Sequence, residues 1–161
     1  MDKTNVMRQL DQKRIAYQVF IADEEDETVR NGVEMAQAVG VDANKTYKTL
    51  VTQGKSKQYY VFMIPVAHTL NLKKAAKVAG EKNIHMILSK ELEPLTGYVH
   101  GGCSPIGMKK RFKTWIHQTA QHQDKIHFSA GKIGYQVAMP LSSLQKIIPI
   151  KIADLTDEGE F

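Results

Sequence analysis

The chain has 161 residues, 42% hydrophobic and 24% charged, with 22 Lys and Arg against 17 Asp and Glu, for a formal net charge of +5. That length and apolar content suit a single domain, residues 1–161, built on one sizeable core. No apolar run approaches the roughly 18 residues of a membrane-spanning helix, the amino terminus has no basic-then-apolar leader, and the lone Cys103 cannot close an internal disulfide. These features exclude a disulfide scaffold and predict a cytoplasmic protein with no membrane contact.

In chain order, Asp2 or Thr4 is positioned to cap a first helix carrying Val6, Met7, Leu10 and Ile15 on one face, and Ala16 to Ile21 reads as a strand. The acidic block Asp23–Glu27 follows as a loop. Val33, Ala36 and Val39 fit a second helix that Gly40 ends. Thr49 to Gln53 and Gln58 to Ile64 are β-rich runs separated by Gly54-Lys55-Ser56-Lys57, a hairpin spacing, and Pro65 closes the second run because it has no amide hydrogen. Asn71 can cap a helix through Ala79, ended by Gly80. Asn83 to Ile87 reads as a short strand, and Ser89 begins a short capped helix that should end near Pro94.

Five residues, Gly97, Gly101, Gly102, Pro105 and Gly107, then forbid a long regular element. Thr114 to Gln118, Lys125 to Ser129 and Tyr135 to Met139 are strand candidates, the last two joined across Gly131-Lys132-Ile133-Gly134. Leu141 to Ile148 reads as a helix and Ile150 to Ile152 as a last strand. Short strands mixed with a few helices, without regular βα alternation, define an α+β class.

Charge is unevenly placed. Asp23–Glu27 and the stretch from Asp154 to Glu160 are acidic, whereas Lys45 to Lys132 is basic, with Lys45, Lys48, Lys73, Lys74, Lys109, Lys110, Arg111 and Lys113 among its cations. Such a surface suits phosphates, with an affinity that falls steeply with salt.

Metal chemistry is poorly supported by the six histidines. His117, His122 and His127 recur every five residues, which shares no helix face and alternates strand faces. His100 and Cys103 have no second ligand pair at zinc spacing, so nothing calls for a metal or a bound organic cofactor. Cys103 is a candidate nucleophile if a histidine folds beside it, although a small inert loop thiol is the commoner outcome. Gly101-Gly102 and Ser129-Ala130-Gly131 let backbone amides approach a carbonyl or phosphate oxygen closely.

Four segments together carry a more specific signal: Tyr47-Lys48-Thr49-Leu50-Val51; Pro65-Val66-Ala67 with Leu72-Lys73-Lys74-Ala75-Ala76; Thr96 to Gly107; and Ser129 to Gly134. In that order they resemble the YbaK/EbsC family of aminoacyl-tRNA deacylases, related to the editing domain inserted in many bacterial prolyl-tRNA synthetases. The resemblance runs from about Lys13 to Asp154. It implies a curved, mixed, partly barrel-like sheet flanked by helices, with a pocket between loops at one end. It further implies that Lys48 contacts the substrate near the scissile ester, that Thr49 donates a hydrogen bond, that Gly97, Gly101 and Gly102 line the pocket, and that Ser129 sits near the substrate end.

The implied reaction is trans-editing of mischarged Cys-tRNA(Pro), in which the cysteinyl thiol attacks its own ester. The partners are the aminoacylated 3′ end of tRNA and prolyl-tRNA synthetase. Two positions depart from better-known cysteinyl deacylases: Ala22 stands where they carry tyrosine and Gln136 where they carry aspartate. A deacylase for another small aminoacyl-tRNA such as Ala-tRNA(Pro), or a non-catalytic module binding tRNA or the synthetase, are the alternatives on the same scaffold. Position 103, usually aliphatic in the family, transfers no catalytic role to Cys103.

Overall fold

The computed structural model describes residues 2–22 and 32–157; the acidic block Asp23–Glu27 and the terminal Glu158 and Glu160 lie outside the described residues. Thr4 caps α1 (Asn5–Gln12) by accepting the Met7 amide at 3.3 Å, and Val6, Met7 and Leu10 are buried beneath it. The predicted helical role of Ile15 is corrected. The chain turns at Arg14, whose φ is +57°, so Ile15 reaches the core from the connection to β1 (Gln18–Ile21). α2 (Gly32–Ala38) is followed by Gly40 at φ +76°, the left-handed conformation that glycine adopts without strain.

A single 3₁₀ turn then leads into the hairpin of β2 (Tyr47–Gly54) and β3 (Tyr59–Pro65). α3 (Leu72–Ala79) has both of its expected ends: the Asn71 side chain accepts the Lys74 amide at 3.0 Å, and Gly80 closes the helix at φ +74°. β4 (Ile84–Met86) precedes α4 (Ser89–Thr96).

α4 runs through Pro94 where the sequence predicted an end. Its cap position is Leu88, which makes no side-chain cap bond. The missing proline N–H removes one bond, to a carbonyl on the exposed Lys90. The helix end is held instead by Thr96, whose hydroxyl donates to Leu92 O at 2.8 Å, and by the Gly97 amide, which donates to Glu93 O at 2.8 Å. The chain from Gly97 to Phe112 is irregular. β5 (Lys113–His117), a 3₁₀ turn at Gln118–His122, β6 (Ile126–Ser129), β7 (Tyr135–Met139), α5 (Leu141–Ile147) and β8 (Lys151–Ala153) complete the order.

Among the described residues two sheets result, neither of them closed. One has the order β1-β7-β6 and is antiparallel; the other has the order β4-β2-β3-β5-β8, with β3, β5 and β8 parallel. They meet where Thr46, just before β2, bridges His127 of β6 in parallel register. Side chains alternate across each strand, so each sheet has one face on the main core. That core gathers Val6, Met7 and Leu10 of α1 with Tyr47, Val51, Val61 and Met63 of the larger sheet and Phe128, Val137 and Met139 of the smaller. A second cluster lies under α3, where Phe62 stacks on Trp115 with centroids 5.4 Å apart.

Candidate active site

Register decides which of the chemically interesting side chains share a face. Ser129 pairs with Gln136, and Gln136 with Phe20; one step along, His127 pairs with Ala138, and Ala138 with Gln18. Since Phe128 and Val137 point into the main core, this second set occupies the opposite face of the small sheet. The Thr46–His127 bridge extends the same face onto β2, so that Lys48, two residues beyond Thr46, runs parallel to Ser129, two residues beyond His127. Lys48 is partly buried and takes part in further electrostatic or hydrogen-bond contacts. Thr49 points the other way, toward the main-core face, beside Tyr47 and Val51. Its Oγ1 is buried without a hydrogen-bond partner.

The glycine loops meet at the tip of the β6–β7 hairpin. Gly131 has φ +92°, and a Cβ there would lie 3.0 Å from Tyr98 Cε1 and 3.1 Å from Val6 Cγ2. Only glycine lets the tip seat on α1 and the Tyr98 loop. Across from it, a Cβ on Gly102 would lie 3.2 Å from the Ile133 amide nitrogen, so the two backbones touch directly. The Tyr98 hydroxyl donates to the Ile106 carbonyl, and the Ile106 amide donates to Ser104 Oγ at 3.3 Å, which fixes the 98–106 loop from inside. Burial pushes the Tyr98 phenol up to about 12, keeping it a donor. Ser129 Oγ accepts the Gly131 amide at 3.0 Å, leaving its own proton to donate. Gly97, by contrast, ends α4 at φ +89°, where a Cβ would contact the Lys109 stem at 3.5 Å.

The electrostatics set this face apart. Gln136 is 6% exposed and His127 8% exposed, yet among the described residues Gln136 Oε1 and His127 Nδ1 have no hydrogen-bond partner. Desolvation first, then the Lys45 and Lys125 cations, hold His127 below the ordinary histidine range, which favours the neutral ring. Phe20 packs on that ring at 5.1 Å. Ala22, at the end of β1, is buried and donates its amide to Gly134 O at 2.8 Å. Cys103 is 8% exposed, and burial drives its thiol up to about 12, which keeps it protonated and non-nucleophilic at neutral pH. His127 went unnoticed in the sequence as a partner of Ser129, although their two-residue spacing on a strand puts them on one face.

Fold and family match together define an editing-type domain. The aminoacyl-tRNA editing domain matches residues 26–147, and the chain belongs to that family. It is 39% identical over 155 residues to an Enterococcus faecalis protein provisionally named Cys-tRNA(Pro)/Cys-tRNA(Cys) deacylase EbsC, covering 96% of this chain and 93% of that one. The proline–tRNA ligase of Burkholderia orbicola is 23% identical over 137 residues, 78% of this chain but 24% of the ligase. A solved structure provisionally described as a trans-editing enzyme for prolyl-tRNA synthetase superposes with TM-score 0.81 at 21% identity, over 97% of this chain and 99% of that one. That superposition establishes the YbaK-type fold. No helix among the described residues is long and apolar enough to cross a membrane.

Proposed function

We propose that the protein deacylates mischarged Cys-tRNA(Pro) in trans, in the cytoplasm, close to prolyl-tRNA synthetase. The observation that carries this reading is the shared face of Lys48, Ser129 and Gln136 beside the paired glycine loops, in a chain 39% identical to the protein named for this deacylation. The face offers donors, a cation and an unpartnered acceptor, but no activated nucleophile, and an aminoacyl ester needs none.

In the substrate-assisted route the cysteinyl sulfur bonds to its own carbonyl carbon and the bond to the ribose oxygen breaks. The thiol proton passes to that oxygen, giving a cyclic thioester and free tRNA. Lys48 and the loop amide of Gly101 would stabilise charge on the carbonyl oxygen, Ser129 would donate to the aminoacyl end, and Gln136 Oε1 would accept from its ammonium, while Gly102, whose amide donates to Val99 O at 3.0 Å, shapes the loop. Thr49 and Gly97 serve as framework in this reading, one on the core face of β2 and the other ending α4.

Editing is chemically necessary because a hydrophobic pocket separates near-isosteres such as cysteine and proline by only ~1–3 kcal/mol. A second reading, preference for Ala-tRNA(Pro), is favoured by Ala22 and Gln136, which replace two polar groups of the cysteinyl enzymes with a methyl and a neutral amide.

The test is amino acid release from Cys-, Ala- and Pro-tRNA(Pro) by the wild type and Lys48→Ala. Loss of cysteine that drops about 10²–10³-fold with the substitution is expected. Faster release of alanine would transfer the assignment to the second reading, and no release from any ester would end both.

A further inference from the structure

A concavity lies apart from the Lys48 face. It encloses about 630 Å³, open mouth included, between α1, the Pro105–Thr114 stretch and the end of α5, with Gln9, Pro105, Lys110, Arg111, Phe112 and Ile148 among its walls. Without the open solvent at its mouth the volume is about 180 Å³, below the ~300–1,000 Å³ of clefts that enclose a small ligand, so this is a shallow groove that takes part of a longer ligand. Phe112, Ile147 and Ile148 give a mostly polar lining some apolar wall, and among the described residues no carboxylate lines it. From Pro94 to Gln123 the sequence holds Lys109, Lys110, Arg111 and Lys113 and not one Asp or Glu. Lys110 and Arg111 are exposed, and among the described residues neither makes an ion pair. Phe112 is held at its place by an edge-on contact with Tyr59 at 5.8 Å.

The groove is joined covalently to the candidate active site. Gly102 packs on the β6–β7 tip, and Pro105 and Gly107 of the same segment line the groove. Six residues span at most about 20 Å, the reach of a few nucleotides.

We propose that this groove holds the unpaired nucleotides that precede the terminal adenosine of an aminoacyl-tRNA, with a base against Phe112 and Ile148 and phosphates on Lys110 and Arg111. Cations beside an accessible aromatic side chain are the chemistry of single-stranded RNA, whose bases are free to leave the stack; a duplex would offer that side chain only phosphates. The inference rests on the deacylase reading for the source of the strand, and its test does not depend on turnover.

The probe is a fluorescein-labelled five-nucleotide RNA ending in CCA, titrated by anisotropy at several salt concentrations. The double variant Lys110→Glu/Arg111→Glu should weaken binding at least 10-fold. Neutralising the pair, Lys110→Gln/Arg111→Gln, should lower the salt slope by about 1.4, two phosphates at ~0.7 each. Phe112→Ala should weaken binding about 5- to 150-fold, the loss of one stacked base, with the salt slope unchanged. Lys110→Arg/Arg111→Lys should retain affinity.

Unchanged RNA affinity in the charge-reversed protein would overturn the proposal, and if co-elution with prolyl-tRNA synthetase were lost at the same time, the groove would belong to a protein partner. Should the wild type cleave no ester while these affinity changes appear, the groove assignment stands and the deacylase reading falls.

Discussion

Two buried histidines of this molecule, His117 and His127, differ in how completely their ring nitrogens are hydrogen-bonded. At the carboxyl-terminal end, His117 of β5 is 1% exposed and both ring nitrogens are used. The Leu155 amide donates to Nδ1 at 3.0 Å, which leaves Nε2 protonated to meet Thr156 Oγ1 at 3.2 Å. Around it Lys74 pairs with Asp154 at 2.9 Å, and the Asn71 amide donates to Leu155 O at 2.8 Å. On the Lys48 face, His127 and Gln136 are also buried, and among the described residues each keeps an unpartnered polar atom. Buried polar groups are ordinarily satisfied, and leaving one unpaired costs about 1–3 kcal/mol. The first region ties the last strand to α3 and the sheet; the second holds unused hydrogen-bonding capacity where a ligand can use it.

The comparison breaks most visibly at His117. Replacing it with alanine empties a buried site and strands the Leu155 amide, an expected loss of about 2–4 kcal/mol. At this chain length that lowers Tm by about 4–16 °C. Thermal unfolding should show this while deacylation per folded molecule stays near wild type; an intact Tm would mean that the clamp contributes little.

Next come the two neighbouring glycines. Gly102→Ala pushes a Cβ against the Ile133 amide at 3.2 Å, displacing the loop wall, and should reduce kcat/KM about 10–100-fold. Gly101→Ala meets only Ile133 Cγ1 at 3.7 Å, an ordinary contact, but at φ +87°, so its cost is strain of about 1–2 kcal/mol. Kinetics and melting of both variants separate the predictions: equal activity losses would show that the Gly102 contact has no special role.

The contrast between the regions also explains what could be read in advance. α3 was legible because its signals are local, a capping Asn71 at one end and Gly80 at the other. The β2–β3 hairpin was legible for the same reason, through two β-rich runs spaced by Gly54-Lys55-Ser56-Lys57. α4 was misjudged at Pro94 because its closure depends on Thr96 reaching back to Leu92 and on Gly97, which outweigh one lost bond. Lys48 could be singled out through family resemblance. Its companions could not be ordered from the sequence, because the shared face depends on one bridge between residues 46 and 127, far apart in the chain. The His117 clamp is equally non-local, joining β5 to residues 38 and 39 positions later.

A smaller effect follows from Gln136. In Gln136→Leu the unpartnered carbonyl is replaced by apolar surface of similar size, so stability should rise by about 1 kcal/mol, or Tm by about 2–4 °C, while kcat/KM falls. A variant that gains stability and loses activity is the signature of a polar group kept for function at some cost to the fold. A loss of stability would show that Oε1 is satisfied in solution, and the face would then resemble the His117 clamp.

The smallest effect belongs to His127 and concerns pH. Its folded pKa is held down by desolvation and by Lys45 and Lys125, whereas the unfolded chain titrates near the usual 6.5. Between those values the unfolded state binds more protons, so His127 stabilises the fold fully above about 6.5 and loses that contribution as pH falls toward the lowered folded value. His127→Gln removes the titration while keeping an amide of comparable reach. Its Tm should therefore decline less than that of the wild type between neutral pH and the acid side of the window, by no more than a few degrees. Parallel declines would mean that His127 is charged as easily in the fold as outside it, and that water reaches its ring nitrogens, in which case the Lys48 face is wetter than its burial implies.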